Sequence, residues 1–233
     1  MKSKTKQKNV IAKSENILYK HCSKEWHLII DNTIQLFNFK KNETIFSEGA
    51  PVRGIYIINS GKVKVFSKFR KDKIRILRLA GDGKILGHRG FSTTNYPVSA
   101  VALIPTTVSF ISNEIFITLV KANPEFSIYL INFFAEQLRQ SEDRMKSLML
   151  SDVKHKIAEI LFILIDSFGF DAKEPNMLSY CLSRKDFAAM AGITYETTVR
   201  TLAYFQRRKL IKIEGKSIRI INTVGLKKYT IPY

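Results

Sequence analysis

The stretch Ser183–Phe205, SRKDFAAMAGITYETTVRTLAYF, constrains this chain more than any other. It reads as two short helices joined at a glycine. Ser183 stands where a helix start needs a hydroxyl to accept from an unpaired backbone N–H. The first helix is expected over 184–191, with Phe187, Ala188 and Met190 on its apolar side. Gly192 falls where the chain must turn sharply, and glycine enters positive φ without a Cβ clash. Thr194 is the expected cap of the second helix. On that helix Thr198, Leu202 and Phe205 recur at i, i+4 and i+7, which is one buried face. Tyr195, Glu196 and Arg200 are left mainly on the other side, near the helix start. Two such helices, with polar side chains at the front of the second, have the form of a helix-turn-helix that reads the DNA major groove. A blander account competes: Glu196 and Arg200 at i, i+4 could be only a surface ion pair, worth about 0.2–0.5 kcal/mol.

The surroundings favour DNA. The chain has 233 residues, enough for two modest domains, and a formal net charge of +18. Such an excess suits a polyanion, with nucleic acid first and an anionic membrane surface second. No apolar run approaches the ~20 residues of a membrane helix, and MKSKTKQKNV is followed by no apolar signal core. Cys22 and Cys181 are the only cysteines. Two thiols cannot by themselves ligate an iron–sulfur cluster or a structural zinc. A reducing cytoplasm is the expected location, and no metal site is expected.

From the start, residues 1–15 carry Lys2, Lys4, Lys6, Lys8 and Lys13 with little apolar content and read as a disordered basic arm. A short helix is expected around 23–31, with Trp26, Ile29 and Ile30 inward. From Thr33 to Ile111 the period becomes that of strands. GIYIINSGKVKVF over 54–66 is two strands broken at Asn59-Ser60-Gly61, and further strands fall at 74–79, 98–103 and 107–111. Many short strands with glycines at the bends predict a small antiparallel barrel or jelly roll. Lys62, Lys64, Lys68, Arg70, Lys71, Lys73, Arg75 and Arg78 make one hairpin strongly basic, most simply as a solvated face.

Asn123-Pro124 opens a long helix to about Leu150, with proline at its first turn. Leu130, Phe134, Leu138, Met145 and Leu148 form a stripe along it, widened by Phe126, Ile131 and Phe133. One face can then cover the barrel and another a second chain, the pattern of a dimerising helix; a purely intramolecular core helix is the alternative. Another helix is expected over 153–168, and a short strand over 178–182. After the helix pair, LIKIEGKSIRIIN gives a hairpin around Glu214-Gly215-Lys216, a wing. Between Ser183 and Lys228 there are eleven bases and three acids, a bias that suits a phosphate backbone.

The expected chain is α+β. It comprises a basic arm over 1–15, a β-barrel sensor domain over 16–122, a long dimerisation helix over 123–150, and a winged helix-turn-helix DNA-binding domain over 151–233. That order resembles the CRP/FNR family of bacterial transcription regulators, from about Cys22 to Ile221. The stretches that carry the resemblance are EGAPVRGIYIINSGKVKVF, GDGKILGHRG and ITYETTVRTLAYFQRRKLI. It implies a cyclic-nucleotide-binding-like jelly roll, a homodimer, a near-palindromic duplex operator and RNA polymerase as a partner. It also implies that the front of the reading helix contacts bases: Glu196 accepting from a cytosine amino group, and Arg200 donating a bidentate pair to guanine. Where the cAMP-responsive members carry an Arg just ahead of the Glu, this chain has Tyr195, which cannot make that guanine contact. Lys185, Thr194, Thr197, Arg207, Lys209 and Lys216 are assigned to phosphates.

In the effector pocket of cAMP-binding members, a Gly-Glu pair holds the ribose and an Arg-Ser pair the phosphate. Here the pairs read Gly87-His88 and Val98-Ser99, with Arg89 adjacent but off the family position. Without that guanidinium an anionic cyclic phosphate loses its main charge-assisted contact. cAMP is therefore disfavoured, and so is an FNR-like cluster for want of cysteines. Two other functions compete. A ligand-binding regulatory module acting on a protein partner would leave the wing idle. An enzyme would need a motif, and no Walker loop, Gly-x-Ser-x-Gly elbow or His-Glu-x-x-His occurs.

Overall fold

A computed structural model describes residues 16–70, 73–150 and 152–230, leaving aside the side chains of Arg70 and of 146–150. The basic arm, Lys71 and the Leu148 side chain lie outside the described residues. The chain divides into two compact units: one holds residues up to Val65 and Ala80–Phe134, the other Phe66–Leu79 and residues from Ala135 onwards.

The first unit opens with α1 (Ile17–His21) and α2 (Lys24–Thr33). Asn16 caps α1, its Oδ1 accepting from Leu18 N at 3.0 Å. Eight strands follow in the chain, most of β4 and β5 being counted with the second unit: β1 (Gln35–Phe39), β2 (Thr44–Phe46), β3 (Gly54–Ser60), β4 (Val63–Arg70), β5 (Lys73–Ala80), β6 (Ile85–Leu86), β7 (Ser99–Ala102) and β8 (Thr106–Ser112). They form two four-stranded sheets of order β1-β8-β3-β6 and β2-β7-β4-β5, a jelly-roll-type sandwich. Alternation along β3 sorts its side chains. Ile55 and Ile57 join a core with Leu18, Ile30, Ile85, Ile111, Phe116, Leu119 and Phe126. Tyr56, between them, instead meets Phe46 and Phe110 at ring distances of 5.5 and 5.0 Å. After β8 come α3 (Asn113–Ala122) and α4 (Pro124–Leu150).

Two expectations need correcting here. Ile30 is fully buried, but Ile29 is 40% exposed, because α2 offers the sheet only one narrow stripe. Leu130 was placed on the dimerisation stripe; it is 6% exposed and belongs to the first unit's own core, one turn beyond Phe126. Among the described residues, the exposed large apolar side chains of α4 are Ile128, Ile131, Phe134, Leu138 and Met145. Ile131, Phe134, Leu138 and Met145 fall at spacings of three, four and seven, the expected stripe with one member exchanged. Phe134, Leu138 and Met145 are exposed, and Ile131 rather than Leu130 is exposed beside them.

The second unit is built on α5 (Val153–Phe168), α6 (Arg184–Ala191), α7 (Tyr195–Arg207), the hairpin β9 (Ile211–Glu214) with β10 (Ser217–Ile220), and α8 (Thr223–Lys227). Asp152 Oδ1 caps α5 by accepting from His155 N at 2.7 Å. The helices α5, α6 and α7 pack on one another, burying Ile157, Leu161, Leu164, Phe187, Leu202 and Phe205. No strand forms over 178–182. Isolated bridges join Phe170 to Leu178 and Met177 to Arg219 instead, because this segment pairs with the wing rather than with a sheet of its own. The hairpin residue Arg78, expected on a solvated face, is 7% exposed and donates to Gln137 Oε1 at 3.4 Å. Among the described residues no helix is long and apolar enough to cross a membrane.

Candidate nucleic-acid interface

The reading surface is set by local chemistry. Ser183 Oγ accepts from Asp186 N at 3.0 Å and donates to the Asp186 carboxylate at 2.8 Å, which fixes the start of α6. Gly192 ends it in the left-handed region at φ 68° and donates to Ala188 O at 2.9 Å. Two residues later Thr194 Oγ1 accepts from Thr197 N at 3.2 Å and starts α7. The Thr194 hydroxyl expected at a phosphate is thus already the helix cap, and it also contacts Thr197 Oγ1 at 2.9 Å.

On the inner face of α7 Thr198, Leu202 and Phe205 are fully buried. The buried Thr198 and Thr201 hydroxyls donate to the carbonyls of Thr194 and Thr197, at 3.0 and 2.8 Å, so neither carries an unmet polar group into the core. On the outer face Tyr195, Glu196, Val199 and Arg200 are exposed together. Arg200 donates to Thr197 Oγ1 at 3.4 Å, one turn back, rather than to Glu196. The bland ion pair does not form among the described residues, and both charged heads project outward.

Lys185, Arg207, Lys209 and Lys216 are all exposed. Lys209 turns the chain from α7 into the wing at φ 56°. Arg219, unlike these four, is held by several acceptors. Its guanidinium donates to Glu174 Oε2 at 2.9 Å, Glu214 Oε1 at 3.2 Å and the Pro175 carbonyl at 2.6 Å. With the backbone bonds Leu178 N to Ile218 O at 3.0 Å and Ile220 N to Asn176 O at 2.9 Å, it staples the wing to the 174–178 loop. Bonds from Arg219, then from Lys212, hold the Glu214 carboxyl below the usual carboxylate range. Arg219 thus drops out of the bases free to meet phosphates.

Sequence reasoning missed one cation. Lys154, in the first turn of α5, lines a groove of about 390 Å³ with Asp152, Thr197, Arg200, Thr201 and Tyr204. Its Nζ lies 4.8 Å from the Tyr204 ring centre, a cation–π contact. Only packing of α5 on α7 brings Lys154 beside Arg200; no local pattern in the sequence marks it.

The candidate effector residues lie in the first unit. Gly87 has φ 82°, and a Cβ there would sit 3.1 Å from Gly54 O and 3.4 Å from a Tyr96 ring carbon. The following turn, His88–Gly90, directs His88 inward: it is 7% exposed, edge-on to Phe133 and Phe134 of α4 at 5.0 and 5.9 Å. Arg89 is exposed. Val98 and Ser99 are buried, and Ser99 Oγ accepts from Glu48 N at 2.9 Å. The side chains at these positions are thus a buried isopropyl group at Val98 and an aromatic-packed imidazole at His88.

The family models match in the same places. A cyclic nucleotide-binding domain matches residues 36–123, and a Crp-like helix-turn-helix domain matches 155–229. Relatives include the CRP-like cAMP-activated global transcriptional regulator of Mycobacterium tuberculosis strain H37Rv, 26% identical over 84% of this chain and 88% of that protein. The transcriptional activator protein FnrA of Stutzerimonas stutzeri is 28% identical over 80% of this chain and 77% of its own. In fold, the structure of FixK2 from Bradyrhizobium japonicum matches with a TM-score of 0.77 at 21% identity, over 86% of this chain and 98% of that one.

Proposed function

The chain belongs to the CRP/FNR family of DNA-binding transcription regulators, a non-enzymatic class, and from that premise we propose that it acts as a homodimer on a near-palindromic duplex. Regulators of this family bind DNA as dimers. The observation that carries the reading here is the outer face of α7, where Tyr195, Glu196 and Arg200 are exposed at the front of a helix whose opposite face is buried. Arg200 supplies a bidentate donor for guanine and Glu196 an acceptor for a cytosine amino group. Lys185, Thr197, Arg207, Lys209 and Lys216 take phosphates, joined by Lys154 at the rim of the Arg200 groove. Thr194 contributes by holding the helix start. The exposed seam Ile131, Phe134, Leu138 and Met145 joins the two protomers. RNA polymerase is the downstream partner in this reading.

Selection of bound duplexes from a random pool tests the reading. Wild-type protein enriches an inverted repeat. Arg200→Ala loses about 1–3 kcal/mol on it and relaxes preference at one base pair of each half-site. Equal weakening on every sequence would instead make Arg200 a phosphate contact.

A relative is described as cAMP-activated. The buried Val98 and His88 argue that this chain answers to a different effector or to none. Titrating cAMP into the protein on its selected duplex leaves affinity unchanged; a saturable gain would return cAMP to the pocket.

A further inference from the structure

The outer face of α7 carries one side chain that neither charge nor helix stability explains. Val199 is 39% exposed, one turn beyond Glu196 and beside Arg200. Positions 196, 199, 200 and 203 share one face at i, i+3, i+4 and i+7. Valine is a poor choice for a helix surface: its branched Cβ loses rotamer freedom against the preceding turn. Its apolar surface gains nothing from water. The opposite face of α7 supplies the packing, through Thr198, Leu202 and Phe205, so Val199 is not needed in the core.

A major groove offers one apolar group on its base edges, the thymine C5-methyl; the other features are hydrogen-bond donors and acceptors. We propose that Val199 packs against a thymine methyl next to the base pairs read by Glu196 and Arg200, making it a specificity-determining residue for A·T at one position of each half-site. The inference rests on the DNA-reading role of α7 and adds the base and the chemical group. The isopropyl group has no hydrogen to donate and no lone pair to offer, so the thymine methyl, which cytosine lacks at C5, is the base-edge group it can gain from.

The experiment uses full-length wild type, Val199→Ser and Val199→Ala, each checked by circular dichroism and by retention on random duplex at low salt. Sites are selected for each. On the wild-type site every thymine is then replaced in turn by deoxyuridine, which deletes only the methyl group. Wild type loses about four-fold in affinity at one symmetry-related pair of thymines, the effect of leaving one methyl group unburied. Val199→Ser binds thymine and uridine forms of that pair equally and admits other bases there in its selected sites, and Val199→Ala, with one methyl left to make the contact, shows a smaller loss than wild type. If wild type selects a clear inverted repeat but no uridine replacement affects it more than the variants, the Val199 inference is overturned while the reading of α7 stands. A wild type that enriches no sequence overturns both.

Discussion

Arg219 and Lys216 are neighbours on one small hairpin with opposite duties. Arg219 is bound on three sides, by Glu174, Glu214 and the Pro175 carbonyl, while Lys216 at the tip is exposed. Replacing Arg219 by Ala leaves two carboxylates facing a loop that no longer holds them. The expected result is a lower melting temperature and faster amide exchange over 211–220, with weaker DNA binding only as a consequence. Lys216→Ala should leave stability alone, weaken binding about equally on all sequences, and reduce the slope of log affinity against log salt by about one. A matched effect of the two variants on the salt slope would mean that Arg219 also meets phosphate. This division could not be read from the sequence: Glu174 lies 45 residues from Arg219, and counting bases between Ser183 and Lys228 treats both alike. The caps were legible for the opposite reason. Ser183, Gly192 and Thr194 act on backbone groups within four residues, so their chemistry is local.

For the helices, the deciding question is which way α4 faces. Leu130 and Ile131 are adjacent and both apolar, yet Leu130 is 6% and Ile131 67% exposed. Helical periodicity located the stripe but not which of these two neighbours turns inward, because the sheet and helices that choose the inner side are contributed by residues far away in the chain. His88 shows the same limit: its position opposite a family carboxylate was visible, but its aromatic neighbours Phe133 and Phe134 come from α4. The choice has measurable consequences. Leu130→Ala empties a packed core and should cost about 2–5 kcal/mol of protomer stability. Leu138, 62% exposed, should tolerate Glu with little loss of protomer folding, while Leu138→Glu puts like charges into the seam and yields monomers by sedimentation. A Leu138→Glu protein that stays dimeric would move the interface elsewhere.

At the scale of the whole chain, charge and repetition act together. The net +18 supplies a sequence-independent attraction to duplex, steep in salt, that brings the protein to DNA without telling it where to stop. In the proposed reading, selectivity comes from the few side chains on the outer face of α7, presented twice when two protomers join. The strand succession, the long helix and the winged unit were readable because each has its own period and punctuation: alternation with glycine turns, a proline-started helix, and a capped helix pair. The central claim is that two copies of α7 enter one duplex together. Hydroxyl-radical footprinting of the wild-type protein on its selected duplex tests this most directly. The account predicts two protected half-sites about one helical turn apart, related by a two-fold axis, both lost in Leu138→Glu at the same protein concentration. A single protected half-site that persists in Leu138→Glu, or retention with no protected site at all, would contradict it.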